Sequence, residues 1–147
     1  IKDFSFENPN APDSLRPAQD QPATDVGIDV QARRRANDEF EATIRLNITS
    51  RRRDQVSFIL ELAYAGVSGI KNVPDENLQP LLLIECPRML FPFLRRVVAD
   101  ITRDGGYPPL MLDPIDFAQL YRTQLENAAR QQQEQAGATA PGSDQIN

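Results

Sequence analysis

There is no histidine anywhere in this sequence of 147 residues, and only one cysteine. The missing imidazole excludes Ser-His-Asp and Cys-His catalysis and every histidine-containing metal site. It also removes the side chain that most often moves protons near neutral pH. The lone Cys86 can form no intrachain disulfide, and a single thiol fits a reducing compartment, so a cytoplasmic location is expected. With no histidine beside it, Cys86 reads as a small buried hydrophobe and is assigned no role. No apolar run approaches the roughly 20 residues that span a bilayer, and no signal-like apolar segment opens the chain. Direct membrane insertion is therefore not expected. Ile1 is not a start methionine, which leads us to expect further residues upstream.

Positive charge is also short: 16 Lys and Arg stand against 21 Asp and Glu, a formal net charge of -5. Such a balance argues against neutralising phosphates along DNA or RNA, so no nucleic-acid partner is expected. What is present is ordinary for one globular domain, with 40% hydrophobic and 25% charged residues. The 12 prolines exceed the average and predict irregular connections.

Along the chain the hydrophobic period is first two and then close to four. In "IKDFSFENPNAP" the residues Lys2, Phe4 and Phe6 alternate with Ile1, Asp3, Ser5 and Glu7, predicting a strand with phenyl rings on one side and two carboxylates on the other. Those acids suit either solvated surface or a docking patch. The proline-rich stretch "NPNAPDSLRPAQDQPA" reads as a long crossover loop. "TDVGIDVQA" alternates at Val26, Ile28 and Val30, and "DEFEATIRLNIT" does so at Phe40, Ala42, Ile44, Leu46 and Ile48, predicting two half-buried strands. A fourth strand, "QVSFILELAYAGVS", puts Val56, Phe58, Leu60, Leu62 and Tyr64 on one face. On its other face Ile59 interrupts the polar series of Ser57 and Glu61.

Beyond Gly69 the spacing becomes helical, first in "DENLQPLLLIE" and then in "CPRMLFPFLRRVVADITRDGG", where Leu90, Leu94, Val97 and Ile101 form a stripe. Pro87 suits the first turn and Gly105 the stop, and Pro92 predicts a kink or a helix that begins only there. "GYPPLMLDP" is an apolar connection. The last helix is expected to start with Asp113 as cap and Pro114 in its first turn, and to carry Phe117, Leu120, Tyr121 and Leu125 on a narrow apolar face. From Gln131 the chain is polar and of low complexity, so a domain over 1–130 and a flexible tail over 131–147 are expected. Four strands followed by two main helices, with no helix between strands, predict an α+β fold: a four-stranded antiparallel sheet with a long crossover loop and helices packed on one face.

Several candidate motifs have plain explanations. The arginine triplets 33–35 and 51–53 bracket one strand and fall tens of ångströms apart at roughly 3.3 Å per residue, so solvated turns explain them better than a phosphate clamp. Gly105-Gly106 follows a helix rather than a strand and lacks the lysine of a phosphate loop. The stripe of Leu90, Leu94, Val97 and Ile101 reads as core, with room for contact between subunits. Tyr107, Leu110, Met111, Leu112, Phe117 and Tyr121 are too many apolar residues for a short loop and a narrow helix to bury, which suggests an exposed groove. Hydrolysis through two carboxylates, the enzymatic alternative, is open to a chain without histidine, but no acid pair stands out.

The chain resembles the SecB protein-export chaperones of bacteria. The resemblance lies in "KDFSFENPNAP", in "FILELAYAGVSGI" and above all in "LFPFLRRVVADITRDGGYPPLMLDPIDFAQLY". It implies a homotetramer, a dimer of dimers, that holds unfolded precursor proteins and delivers them to the SecA motor ATPase, with no enzymatic activity, no nucleotide or other cofactor and no metal site. A related alternative is a SecB-like chaperone devoted to a single antitoxin. By the same resemblance Asp3, Glu7, Ile59 and Glu61 would form the patch that receives the basic, zinc-holding C-terminal segment of SecA. Leu15, Leu110, Leu112, Phe117 and Tyr121 would contact clients, and Leu90, Leu94, Val97 and Ile101 would lie at the oligomer interface. The crossover loop departs from the family pattern: "DSLRPAQDQPA" offers only Leu15 where bulky aromatics, a tryptophan among them, are usual.

Overall fold

A computed structural model describes residues 1–138. Its strands are β1 (Asp3–Glu7), β2 (Ala23–Ala36), β3 (Glu39–Arg52) and β4 (Gln55–Gly69), all antiparallel, in the sheet order β1-β4-β3-β2. Because β1 and β2 occupy opposite edges, the segment between them must cross the end of the sheet. One short 3-10 turn, Asp13–Leu15, interrupts that crossover.

Register decides what each face carries. The even-numbered residues of β3, namely Phe40, Ala42, Ile44, Leu46 and Ile48, are all buried, and so are Phe58, Leu60 and Leu62 of β4. Phe6 joins them from β1, its ring 5.6 Å from that of Phe58. The alternation in β4 breaks once. Ser50 pairs with Phe58 but Arg51 pairs with Val56, so Ser57 is the extra residue of a bulge and Val56 leaves the core series. The β3–β4 hairpin turns through Arg53 and Asp54, both at positive φ, as a two-residue turn whose twist suits antiparallel strands requires.

The arginine triplets are not turns. Arg33, Arg34 and Arg35 finish β2, and Arg51 and Arg52 finish β3, leaving only Arg53 in a turn. The strands outlast their apolar alternation because these side chains find cross-strand partners: Arg33 bonds Glu41, Arg35 approaches Glu39, and the guanidinium of Arg34 lies 4.7 Å from the ring centre of Phe40. The triplets do sit at opposite ends of the sheet, since Arg33 faces Glu41 whereas Arg51 faces Ala23.

Helix α1 (Asp75–Pro80) leads through a π-turn, Leu81–Glu85, into α2 (Cys86–Asp104). The helix neither starts nor stops at Pro92. Its irregular turn comes earlier, where Pro87 has no N–H to offer the carbonyl four residues back. Leu94, Val98 and Thr102 of α2 are fully buried against the sheet. Cys86 is buried with Phe40, Ala42 and Leu82 in a smaller cluster. At the end of α2, Gly105 permits contact with Phe6, since a Cβ there would stand 2.5 Å from the ring, and Gly106 takes φ 94°.

Helix α3 (Phe117–Ala138) starts later than its Asp-Pro pair suggests. Asp116, not Asp113, caps it, accepting the Gln119 N–H at 3.0 Å. The preceding segment is held extended along α2, where the Leu110 N–H donates to Thr102 Oγ1 at 2.9 Å and Arg95 Nε donates to the Leu112 carbonyl at 2.7 Å. Helix α3 continues across residue 130 with exposed side chains. The division of domain from tail at that point remains a proposal, and 139–147 lie outside the described residues.

Candidate functional site

Among the described residues the helices pack on the sheet face that carries Ile44, Leu46 and Leu60, and the four patch residues lie on the other. Cross-strand pairs place Asp3 opposite Ala63, Ser5 opposite Glu61 and Glu7 opposite Ile59. Opposed residues share a face, and diagonal neighbours stand about 7–8 Å apart. Glu61 is therefore flanked by Asp3 and Glu7, with Ile59 beside them. Ile59 is half-buried rather than fully open, while Asp3, Glu7 and Glu61 are exposed. Among the described residues none of these three acids joins an ion pair. Three unneutralised carboxylates around an aliphatic side chain make a surface suited to a basic segment with an apolar anchor.

Toward the β2–β3 hairpin the same face reverses its charge. Lys2, expected beside Phe4 and Phe6, instead sends its amine to Glu41 Oε1 at 2.5 Å, and Arg33 adds Nε at 3.1 Å and a terminal nitrogen at 3.3 Å. Glu41 is only 6% exposed. The hydrogen bonds from Lys2 and Arg33 outweigh the opposing effect of burial and lower its pKa from 4.5 to about 2. This clasp secures the start of β1, and hence Asp3, against the sheet. Its partners are 39 residues apart in sequence.

The expected client residues divide. Leu112 is 6% exposed and Phe117 1%, so both belong to the core and offer nothing to a partner in this conformation. Their burial answers the apparent excess of apolar residues in 107–121: the extended connection packs beneath itself, with Phe117 edge-on to Phe91 at 5.9 Å. Leu110 and Tyr121 are half-buried, and Leu15 is 40% exposed against Gly106. Leu110 borders a cleft of about 360 Å³ between the crossover loop and the post-α2 segment, walled by Phe58, Tyr107, Pro108 and Pro109. Tyr107 anchors the loop, its hydroxyl 2.6 Å from Asn8 Oδ1, 2.9 Å from Ser14 Oγ and 2.8 Å from the Ser57 carbonyl. The Ser57 bulge thus brings a strand carbonyl to the tyrosine, a contact no residue spacing announces.

Of the interface stripe, Leu94 is fully enclosed within the chain, and Leu90, Val97 and Ile101 are partly buried against its core. The exposed side of α2 carries Met89 and Phe93 instead, at helical i, i+4 spacing. An unbroken apolar helix pattern conceals them, because Phe93 sits next to Leu94 and reads as a widening of the same stripe.

Comparison with known proteins places this architecture. The family described as "Preprotein translocase subunit SecB" matches residues 1–128. The chain is 54% identical over 144 residues to the protein-export protein SecB of Maricaulis maris, covering 98% of this chain and 79% of that protein. It is 57% identical over 132 residues to its counterpart in Rhodopseudomonas palustris strain HaA2, covering 90% and 84%. Among solved structures, a SecB-like chaperone of Mycobacterium tuberculosis in complex with an antitoxin peptide superposes with a TM-score of 0.63 at 19% identity, covering 77% of this chain and 84% of that one, which shows the shared fold. A match across the sheet and its helices, together with relatives this similar along nearly the whole chain, establishes that this protein belongs to the SecB family.

Proposed function

We propose that this SecB-family chaperone, whose role is protein export, holds unfolded precursors at the crossover-loop cleft and passes them to SecA through the acidic patch on the sheet face opposite the helices. The observation that carries the reading is the pairing of Glu7 with Ile59 beside Asp3 and Glu61, three carboxylates that join no ion pair among the described residues, around one aliphatic group. Solvation explains exposed acids but gives no reason for an isoleucine in the polar series of β4. The basic, zinc-binding C-terminal segment of SecA has the complementary charge. Clients would rest on Leu15, Leu110 and Tyr121, with Leu112 and Phe117 supporting that surface from below. The assembly would be a homotetramer, a dimer of dimers, in the cytoplasm. Met89 and Phe93 would join Leu90, Val97 and Ile101 at the contacts between copies, and Leu94 would act from within. The family membership sets aside a carboxylate hydrolase, since SecB proteins are chaperones and not enzymes.

The test replaces Glu7 and Glu61 by Gln, which keeps shape and removes two charges. Calorimetric titration with the isolated SecA segment should show weakened binding at low salt and a smaller difference at physiological ionic strength, where the screening length is about 8 Å. Capture of an unfolded precursor should be unchanged. Equal affinity of parent and variant in both buffers would return the acids to ordinary surface. A pull-down from the same cells separates a general export chaperone, which retains many precursors, from one serving a single antitoxin.

A further inference from the structure

The place of Asp3 depends on how firmly β1 begins. This strand has five residues and stands at the edge of the sheet, and its strand neighbour among the described residues is β4. Short edge elements of this kind open locally at little cost. One oxygen of Asp3 accepts the Phe4 N–H at 2.9 Å, which ties the carboxylate to its own backbone. The acid therefore goes where β1 goes.

Lys2, just before it, supplies a hold from across the sheet. Its N–H donates to the Ala63 carbonyl at 2.8 Å, and its side chain then leaves the pleat and crosses β4 to reach Glu41 of β3. Neighbouring strands lie about 5 Å apart, so β1 and β3 are separated by about 10 Å, a gap that a lysine and a glutamate span together. The crossing is open because β4 presents only Ala63 and Ala65 there, opposite Arg45 and Thr43. At its far end Glu41 is a fixed post. Arg33 grips both of its oxygens, Thr43 Oγ1 adds a contact at 3.5 Å, and the residue is 6% exposed. A carboxylate buried this far keeps its donors, because losing one leaves a charge short of hydrogen bonds.

We infer that Glu41 is a positioning residue for the docking patch: acting through Lys2, it fixes the start of β1 and so sets Asp3 beside Glu61 and Ile59 as a basic segment meets them. The inference rests on reading that patch as the docking site for SecA. Lys2 is itself a cation beside three acids. By charge alone it repels a basic segment, so its removal would tighten binding, whereas removal of a clasp loosens it. The two roles carry opposite signs.

The test titrates the isolated basic segment of SecA into the protein by calorimetry at low salt. Lys2→Met makes the face one charge more negative, yet it should bind the segment about fivefold more weakly, a coupling usual among residues of one hydrogen-bonded network. Hydrogen exchange at the amides of β1 should quicken in the same variant. Its capture of an unfolded precursor should match the parent's, which separates loss of position from general damage. Lys2→Arg keeps a donor within reach of Glu41 and should bind like the parent. In an Asp3→Asn background the same Lys2→Met change should weaken binding hardly further. If Lys2→Met fails to fold, as judged by circular dichroism, Lys2→Gln takes its place. Binding by the Lys2 variant as tight as the parent's or tighter overturns the inference, and so does a loss of equal size with and without Asp3→Asn. The docking reading survives both results as long as Asp3→Asn alone weakens binding. If Asp3→Asn alone changes nothing, Asp3 leaves the patch, and the docking reading at that residue falls together with this inference.

Discussion

Replacing Phe117 by alanine separates a buried ring from a client-binding one. The side chain is 1% exposed, meets Phe91 edge-on at 5.9 Å, and shares a core with Ile44, Leu94 and Val98. Truncating a phenylalanine in such a place costs about 3–5 kcal/mol, from lost transfer free energy and the cavity left behind. In a domain of this size each kcal/mol lowers Tm by about 2–4 °C, so a fall on the order of 10 °C is expected. Tyr121, one turn further along α3 and only half-buried, should lose about 1 kcal/mol or less on replacement by serine. Thermal unfolding by circular dichroism must be run at one fixed protomer concentration, because any self-association adds to apparent stability. Capture of an unfolded precursor is then measured well below both transitions. Phe117→Ala should melt early yet capture normally while folded, and Tyr121→Ser should do the opposite. An alanine variant that melts within about 2 °C of the parent but no longer captures precursor would refute the assignment of Phe117 to the core.

Two further outcomes follow from contacts between distant segments. The clasp of Lys2 and Arg33 on Glu41 holds the folded-state pKa at about 2, below the ordinary 4.5, so its stabilisation is fully present above about pH 4.5 and is lost as pH falls toward 2. Acid titration of stability in Glu41→Gln should lack that part of the slope; an unchanged profile would mean that the carboxylate is not held by its partners. Gly105→Ala would place a methyl 2.5 and 2.7 Å from Phe6 ring atoms and 3.3 Å from the Ile101 carbonyl, and Phe6 cannot yield without leaving its stack on Phe58, so it should destabilise by about 1–3 kcal/mol in urea unfolding; unchanged stability would refute that contact.

Strands and helices were legible wherever one face is buried, because the repeat that water enforces is local. Phe40 to Ile48 alternate so regularly that strand and core face could be read from the residues themselves, whereas the burial of Glu41 and Thr43 on the opposite face could not. The misplaced Ile59 was legible for the same reason, as a violation of a period. What the sequence alone left open depends on which distant residues become neighbours. Nothing in the spacing says that Glu7 faces Ile59 or that Lys2 crosses to Glu41; register across β1, β4 and β3 decides both. Asp113 and Asp116 both suit a helix start, and the choice fell to Arg95 and Thr102, which hold the intervening segment extended along α2. Leu112 and Phe117 looked like surplus apolar surface because a linear pattern counts side chains without the volume that packing provides for them.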